Sequence, residues 1–227
     1  MYISRVRLNP KAINNSEFWQ HINNNYQMHS QIWSMFGDNP DRKRDFLYRQ
    51  DEMKGVPVFY IVSQRKPDES KGTWELECKN YEPELRSGQT LSFVLRANPI
   101  VSKRDENGNQ HRHDIVMDAK FHLKSNNISK DECPLIAEIV QEKGIEWLKR
   151  RAEDRGFEIQ DGQVRADGYM NHKFYKPKGK HKISISTIDF TGLLTVTEPD
   201  VFKENLFYGI GPAKSFGCGL MLVKPVR

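Results

Sequence analysis

Cysteine is scarce in this sequence of 227 residues, and long apolar runs are missing. The three cysteines, Cys78, Cys133 and Cys218, are scattered and never stand in a CxxC spacing. The sequence therefore predicts neither a disulfide framework nor a cysteine zinc site, and the thiols are expected to be buried or incidental. No window approaches the roughly 18 apolar residues of a membrane span, and residues 1–10 lack the apolar core of a secretory signal. We expect a cytoplasmic protein that does not associate with a membrane.

Several motifs of common enzyme classes are also absent. The sequence contains no GxxxxGK[ST] phosphate loop and no GxSxG nucleophile motif. Its glycine-rich run near the C terminus lacks the strand and helix context of a dinucleotide site. These absences argue against a P-loop nucleotide hydrolase, a serine hydrolase and a dinucleotide-dependent enzyme.

Positive charge, in contrast, is concentrated in one segment. Lysine and arginine exceed aspartate and glutamate by 35 to 30, a net charge of +5. Residues 171–182 hold five lysines, two histidines and no acid, so this segment carries the whole excess. Strand-like runs at 169–174 and 183–190 flank it and predict a β-hairpin with a lysine-rich tip. A charged hairpin that is merely solvated is the alternative to phosphate binding by its lysines, which are Lys173, Lys176, Lys178, Lys180 and Lys182.

The rest of the chain predicts a mixed α and β protein. Its 24 aromatic residues, 12 Phe, 8 Tyr and 4 Trp, are enough to anchor a core. Alternating apolar and polar residues predict strands over 2–8 and 90–96. Strands are also predicted over 45–49 and over 56–63, the latter largely buried because it is rich in β-branched and aromatic residues, and an apolar run predicts one over 219–223. Helical spacing predicts helices over 26–36, with Asn25 as the N-cap, and over 138–151. Residues 83–88 are expected to form a domain boundary, and 120–131 an exposed insertion.

Four glycines surround one lysine in the C-terminal run. Gly209, Gly211, Gly217 and Gly219 enclose Lys214 within eleven residues. A loop of this composition can bring backbone N–H groups and a cation close to a phosphate. A turn that needs glycine only for its backbone conformation is the alternative.

Residues 209–220, GIGPAKSFGCGL, resemble the glycine-rich signature of CRISPR-associated RAMP proteins. This motif is similar to that of the CasE endoribonuclease family of the type I-E Cascade complex. Other segments resemble CasE sequences in the same order, namely YQMH with IW at 26–33, DFLY at 45–48, LRANP at 95–99 and WLKRR at 147–151. The resemblance spans nearly the whole chain and is weakest over 121–141.

This resemblance implies an α+β protein of two tandem ferredoxin-like, RRM-related domains, which we place at residues 1–87 and 88–227. It also implies cleavage of a CRISPR repeat RNA hairpin without a metal ion or another cofactor. The expected partners are the processed guide RNA, or crRNA, and the other Cascade subunits. Alone, the chain is expected to be a monomer.

The Tyr-x-x-His arrangement of the family falls on Tyr26 and His29. Histidine titrates near neutrality, so His29 near the start of a helix can protonate a leaving 5′ oxygen or accept a proton from an attacking 2′ hydroxyl. Tyr26 lies on the same side of the helix and can orient the nucleophile or the phosphate. Some relatives carry a lysine at the position of Ser34, so the transition-state charge needs another cation, for which Lys214 is a candidate. The alternatives are a noncatalytic RNA-binding module and a structural RAMP subunit.

Two further clusters are weaker candidates. Arg150, within the basic residues 149–151, can extend an RNA-binding track, but cations at a helix C terminus also complement the helix dipole. His111, His113 and His122 suggest metal ligands. Because no carboxylate or cysteine is spaced to complete such a site, we expect no metal there.

Overall fold

The computed structural model describes residues 1–13, 25–37, 43–68, 72–126, 133–175 and 182–226. In these ranges, side chains that alternate along each strand give the sheets one face for packing against helices. Two larger antiparallel sheets result, with a separate two-stranded hairpin. None of the described helices combines the length and apolar character of a bilayer span.

The first sheet has the spatial order β2-β3-β1-β4. Its strands are β1 (Tyr2–Leu8), β2 (Phe46–Met53), β3 (Val56–Ser63) and β4 (Trp74–Asn80). The helices α1 (Pro10–Ile13) and α2 (Asn25–Ser34) lie between β1 and β2 in the chain. The predicted strands over 2–8 and 56–63 are confirmed, β2 runs four residues beyond its predicted end, and β4 was not predicted. A turn at Lys54 and Gly55, both with positive φ (54° and 77°), joins β2 to β3.

One face of this sheet packs against the C-terminal part of α2. Ile32, Phe36, Phe46 and Phe59 are each at most 4% exposed and belong to one apolar cluster. The Phe36 and Phe46 rings are stacked with centroids 4.3 Å apart. Burial of each such side chain is worth about 1.5–3 kcal/mol, so this packing fixes α2 on the sheet.

The second sheet has the order β11-β5-β10-β9, with β8 paired to the end of β10. Its strands are β5 (Thr90–Ala97), β8 (Phe157–Glu158), β9 (Val164–Tyr175), β10 (Lys182–Val196) and β11 (Met221–Pro225). The helices α4 (Ile136–Ala152) and α5 (Pro199–Tyr208) complete the chain order β5-α4-β9-β10-α5-β11. This is the βαββαβ connectivity of a ferredoxin-like fold, and the strand order matches it. The first sheet repeats that spatial order, with no helix among the described residues between β3 and β4.

An insertion separates β5 from α4. It consists of the hairpin β6 (Ile100–Arg104) and β7 (Gln110–Asp114), followed by helix α3 (Ile115–Ser125). The prediction of an exposed insertion that begins at residue 120 is confirmed for residues 121–126, which are mostly exposed, and residues 127–131 lie outside the described ranges. The Asp114 carboxylate explains the helix start, because it accepts hydrogen bonds from Val116 N at 2.7 Å and Met117 N at 3.0 Å.

The remaining predictions of elements differ from the structure mainly in length. α4 begins two residues before the predicted start at 138, and its buried Val140, Trp147 and Leu148 face the second sheet. α5 was not predicted. β5 confirms the predicted strand over 90–96, and β11 begins two residues later than predicted. The boundary between residues 87 and 88 stays a prediction, and it falls between β4 and β5.

β9 and β10 form the predicted hairpin. They pair from Gly192 with Val164 to Lys182 with Tyr175, with an irregularity beside Thr187. The prediction of two strands that flank the lysine-rich tip is confirmed. The tip lysines Lys176, Lys178 and Lys180 lie outside the described residues.

Candidate functional site

Helix α2 carries the two predicted catalytic residues and lies against a 3-10 turn, Lys214–Phe216. Tyr26 and His29 fall within its described backbone, but their side chains lie outside the described part of the structure. Asn25 is the first described residue of the helix, so its role as N-cap stays a prediction. The fold thus brings the candidate catalytic helix and the glycine-rich run together, although Ser34 at the end of α2 and Lys214 are far apart in the sequence.

The glycines of this run allow close packing against the rest of the protein. Gly209 and Gly217 are buried with a φ of 80°, a conformation that L side chains rarely adopt. A Cβ atom at Gly209 would lie 2.8 Å from Leu47 Cδ1, and one at Gly217 would lie 3.2 Å from the Tyr48 ring. A Cβ atom at the half-buried Gly211 would lie 3.2 Å from the Trp147 ring.

Backbone hydrogen bonds complete the loop. The Gly219 N–H donates to the Arg96 carbonyl at 2.7 Å, and the Ile210 N–H donates to the Gly219 carbonyl at 2.9 Å. Internal packing and hydrogen bonding therefore account for Gly209, Gly217 and Gly219. A phosphate contact by any of the four glycines stays a prediction.

The 3-10 turn is also held by the first sheet. The Tyr48 hydroxyl donates to the Ser215 carbonyl at 3.1 Å, and Arg44 Nη1 donates to Ser215 Oγ at 3.0 Å. Burial raises the pKa of Tyr48, with Cys218 adding to the effect, so the phenol stays protonated and able to donate. Burial lowers the pKa of the Arg44 guanidinium.

Lys214 lies at the start of this turn and is half-buried. Its Nζ donates to the Tyr208 carbonyl at the end of α5 at 2.6 Å. Burial, followed by the positive charges of Arg44 and Arg155, lowers the pKa of Lys214 below the ordinary lysine value of 10.5. Lys214 is thus a restrained cation in a positively charged setting, beside the candidate catalytic helix.

The other predicted RNA contacts are separated from this turn. Lys173 is exposed on β9, opposite Ser184, and Lys182 pairs with Tyr175 near the hairpin tip. Arg150 lines a groove between α3 and α4 together with Asp118, Glu142 and Glu146. A basic track through Arg150 and Lys214 stays a prediction, and it is the next residue, Arg151, that lines the same cleft as Lys214.

The first and second sheets meet at a network of charged side chains that the sequence did not predict. Arg96 makes a bidentate contact with Asp189, with Nε to Oδ1 at 2.9 Å and Nη2 to Oδ2 at 2.8 Å. Arg49 Nη2 lies 3.4 Å from Asp189 Oδ1, and Arg96 Nη1 donates to the Gln50 carbonyl at 2.8 Å. Burial, followed by the charge of Arg96, lowers the pKa of the neighbouring His172. This network connects the second sheet to strand β2.

An apolar contact reinforces the same junction. Leu47 and Val62 of the first sheet form a buried cluster with Leu220, which precedes β11. Cys218 is fully buried nearby, and burial raises the pKa of its thiol to about 12. The expectation of a buried or incidental thiol is confirmed for Cys218.

The histidines considered as metal ligands have other neighbours. His111 Nε2 lies 2.9 Å from Asp105 Oδ2, and His122 Nε2 lies 2.7 Å from Lys103 Nζ. Asp118 contacts Lys103 at 2.6 Å. Within the described ranges, no three His, Cys, Asp or Glu side chains form a group that could hold a metal ion.

Comparisons with known proteins place these features in a wider group. The sequence model of a family described as CRISPR associated protein matches residues 1–225. The chain is 31% identical over 203 residues to the CRISPR system Cascade subunit CasE of Escherichia coli K12, a match that covers 88% of this chain and 92% of that protein. It is 25% identical over 240 residues to the CRISPR-associated endoribonuclease Cse3 of Thermus thermophilus, with 99% and 100% coverage.

Solved structures agree with this relationship. The endoribonuclease Cse3 bound to a 19-nucleotide RNA is 25% identical and superposes with a TM-score of 0.70, covering 99% of this chain and 100% of that one. The E. coli protein Cas6e, at 24% identity and full coverage of both chains, has the same fold with a TM-score of 0.66. The fold prediction of two ferredoxin-like domains is confirmed. From its match over residues 1–225 and its 31% identity to CasE, this chain belongs to the CasE family of CRISPR-associated proteins.

Proposed function

We propose that this chain is an endoribonuclease that cleaves CRISPR repeat hairpins in precursor RNA and keeps the product as a Cascade subunit. Relatives named as an endoribonuclease and as a Cascade subunit support both parts of the proposal. The observation that carries it is the packing of α2 against the Lys214–Phe216 turn. This packing brings the helix with Tyr26 and His29 next to a restrained cation.

The proposed reaction is an intramolecular transesterification without a metal ion. The ribose 2′ oxygen forms a bond to the adjacent phosphorus and loses its proton, while the bond from phosphorus to the 5′ oxygen breaks and that oxygen gains a proton. His29 carries one of these proton transfers, because an imidazole both accepts and donates protons near neutral pH. The products are a 2′,3′-cyclic phosphate, or the 3′-phosphate formed when it opens, and a 5′ hydroxyl.

Tyr26 and Lys214 have supporting roles in this proposal. Tyr26 lies three residues before His29, on the same side of the helix, and orients the nucleophile or the phosphate. Lys214 supplies positive charge to the phosphate in the transition state. It takes the role of the lysine that some relatives carry at the position of Ser34. Lys214 is suited to this because its ammonium is already held by the Tyr208 carbonyl.

The lysine-rich hairpin supplies affinity for the RNA stem. Each phosphate that a lysine neutralises releases counterions, so a cluster of lysines gives strong, salt-dependent binding. A thin β-hairpin such as β9–β10 can approach a duplex groove that a broad domain surface cannot enter. Stem contacts persist after cleavage at the 3′ base of the stem, so the enzyme is expected to act about once and to retain its product in the cytoplasm.

A cleavage assay on labelled repeat RNA in EDTA tests the proposal. Wild type should cut once and leave a 5′ hydroxyl, His29→Ala should bind without cutting, and His113→Ala, a change at an exposed histidine, should cut normally. Binding without cutting by wild type would indicate a noncatalytic RNA-binding module. Unchanged cutting by His29→Ala would remove His29 from the reaction, and 5′-monophosphate ends or a requirement for a divalent ion would reject the mechanism.

A further inference from the structure

A cationic cleft lies beside Lys214, with a volume of about 370 Å³. Four positively charged side chains line it, and no carboxylate among the described residues does. The four come from β7, the last turn of α4, the segment after α4 and the 3-10 turn, and they are Arg112, Arg151, Arg155 and Lys214. Residues distant in the sequence therefore concentrate positive charge at one place.

Neutral groups, rather than acids, hold three of these cations, and for Lys214 this group is the Tyr208 carbonyl. The Arg151 guanidinium lies 5.6 Å from the centroid of the Trp147 ring. Arg155 Nη1 donates to Asn205 Oδ1 at 2.7 Å, and its Nε is buried without a hydrogen-bond partner in the described part of the chain. Since neutral groups position these side chains without cancelling their charge, the cleft keeps its affinity for anions.

Mutual repulsion in this cleft is visible in the pKa values. Burial lowers the pKa of Arg155, with the charge of Arg151 adding to the effect and that of Asp154 opposing it. Arg155 in turn contributes to the lowered pKa of Lys214. A bound phosphate would offset this repulsion, because it places negative charge among the cations.

An exposed aromatic ring lines the same cleft. Tyr208 is the last residue of α5, and its large aromatic side chain is 67% exposed. An exposed aromatic side chain next to several cations is typical of single-stranded nucleic acid sites, where a base stacks on the ring and cations follow the backbone. A paired stem hides its base faces, so Tyr208 favours an unpaired strand.

We propose that this cleft binds single-stranded RNA that flanks the repeat hairpin. The phosphates contact Arg112, Arg151 and Arg155, and one base stacks on Tyr208. The inference rests on the proposed function, since it names a second binding surface for the same substrate. Lys214 lies both in the cleft and in the turn against α2, so a strand that leaves the candidate catalytic helix can continue into the cleft.

Binding of two RNAs measures this contribution. One is the repeat hairpin with a 2′-deoxy nucleotide at the cleavage site, and the other adds an unpaired extension of about eight nucleotides on the side of the cut. The extension should tighten binding by wild type about tenfold. R151A/R155A should lose this gain and reduce the salt slope for the extended RNA by about 1.4, while binding the bare hairpin as before.

Matched variants separate charge, stacking and folding. Arg86→Ala removes an exposed arginine that precedes β5, at the opposite end of this strand from the cleft, and should keep the full gain. Tyr208→Ala should lose several-fold of the gain, and Tyr208→Phe should retain it because the ring remains. Both Tyr208 variants change an exposed side chain, so they test the cleft even if the double arginine variant folds poorly.

The outcomes distinguish this inference from the proposed function. Failure of wild type to bind the bare hairpin would reject the proposed function. Binding and cleavage of the hairpin with no gain from the extension would overturn the inference alone. If polyglutamate, but not the extension, then bound in the cleft, the result would indicate an acidic protein partner. Equal losses for both RNAs in R151A/R155A would assign the cleft to the stem and would also overturn the inference.

Discussion

The Tyr48 hydroxyl donates a hydrogen bond of 3.1 Å to the Ser215 carbonyl, and this bond joins the first sheet to the turn against α2. The Tyr48 ring also lies where a side chain at Gly217 would point, 3.2 Å from the expected Cβ position. One buried tyrosine thus restrains both sides of the turn that carries Lys214. The placement of this cation beside α2 depends on strand β2.

Tyr48→Phe should therefore lower the free energy of unfolding by about 1 kcal/mol, because the ring is kept and one hydrogen bond is lost. Urea denaturation measures the change. Since the Ser215 carbonyl loses its donor, cleavage should slow more than hairpin binding weakens. Equal stability of the variant and wild type would show that the hydrogen bond does not hold the turn.

Gly217→Ala should destabilise the protein more than Gly108→Ala. Both glycines have a φ of 80°, so both variants carry the same backbone strain, of about 1 kcal/mol or more. Gly108 has nothing within 4 Å of its Cβ position, whereas Gly217 has the Tyr48 ring. The difference between the two unfolding free energies isolates the steric contact. Equal losses would mean that the Tyr48 ring moves away without cost.

Asp189 holds two arginines, so its neutralisation should be costly. Asp189→Asn leaves Arg49 and Arg96 without their shared carboxylate, and we expect a loss of about 2 kcal/mol in the free energy of unfolding. The loss stays below that of a fully buried pair because the Asp189 side chain is 25% exposed. Asp167→Asn is the control. Asp167 pairs with Asp189 across the strands, but it is 46% exposed and its partner Arg165 is 74% exposed, so the change should be below about 1 kcal/mol.

The lowered pKa of Lys214 predicts a pH dependence of RNA binding. Burial and nearby cations lower the pKa in the free protein, while a bound phosphate favours the charged ammonium. Binding therefore takes up protons, and affinity should begin to fall at a lower pH than the titration of an ordinary lysine would give. Lys214→Arg should bind with a nearly constant affinity as the pH rises through this titration, because its guanidinium stays charged. Parallel curves for the two proteins would exclude Lys214 from the RNA interface.

Local patterns predicted those parts of the fold that depend on neighbouring residues. The β-branched and aromatic run over 56–63 and the lysine-rich segment between two strand-like runs were sufficient for β3 and the β9–β10 hairpin. α5 was missed although its signals are local too. Pro199 in the first turn and the buried pair Phe202 and Leu206, four residues apart, are typical of a helix.

The site itself depends on contacts between distant residues, which a single sequence does not contain. Arg96 and Asp189 are 93 positions apart, and strand register makes them neighbours. The choice between Arg150 and Arg151 depends on which face of α4 lines the cleft, and it is Arg151, over the Trp147 ring of the same helix, that does so. The basic run alone could not decide it. The glycines were identified correctly as a loop, while their packing against Leu47, Tyr48 and Trp147 required the arrangement of both halves.

The lysine-rich tip provides a last prediction, on affinity rather than chemistry. Changing Lys176, Lys178 and Lys180 together to alanine should weaken hairpin binding and flatten its dependence on salt, by a slope of about 2.7 if all three contact a duplex. A control variant changes three exposed lysines on β4, α3 and β11, which are Lys79, Lys124 and Lys224, and it removes the same net charge. If long-range attraction alone mattered, both variants would weaken binding equally. A loss confined to the tip variant, with unchanged cleavage of bound RNA at saturation, would assign these lysines to stem binding and leave the chemistry to α2.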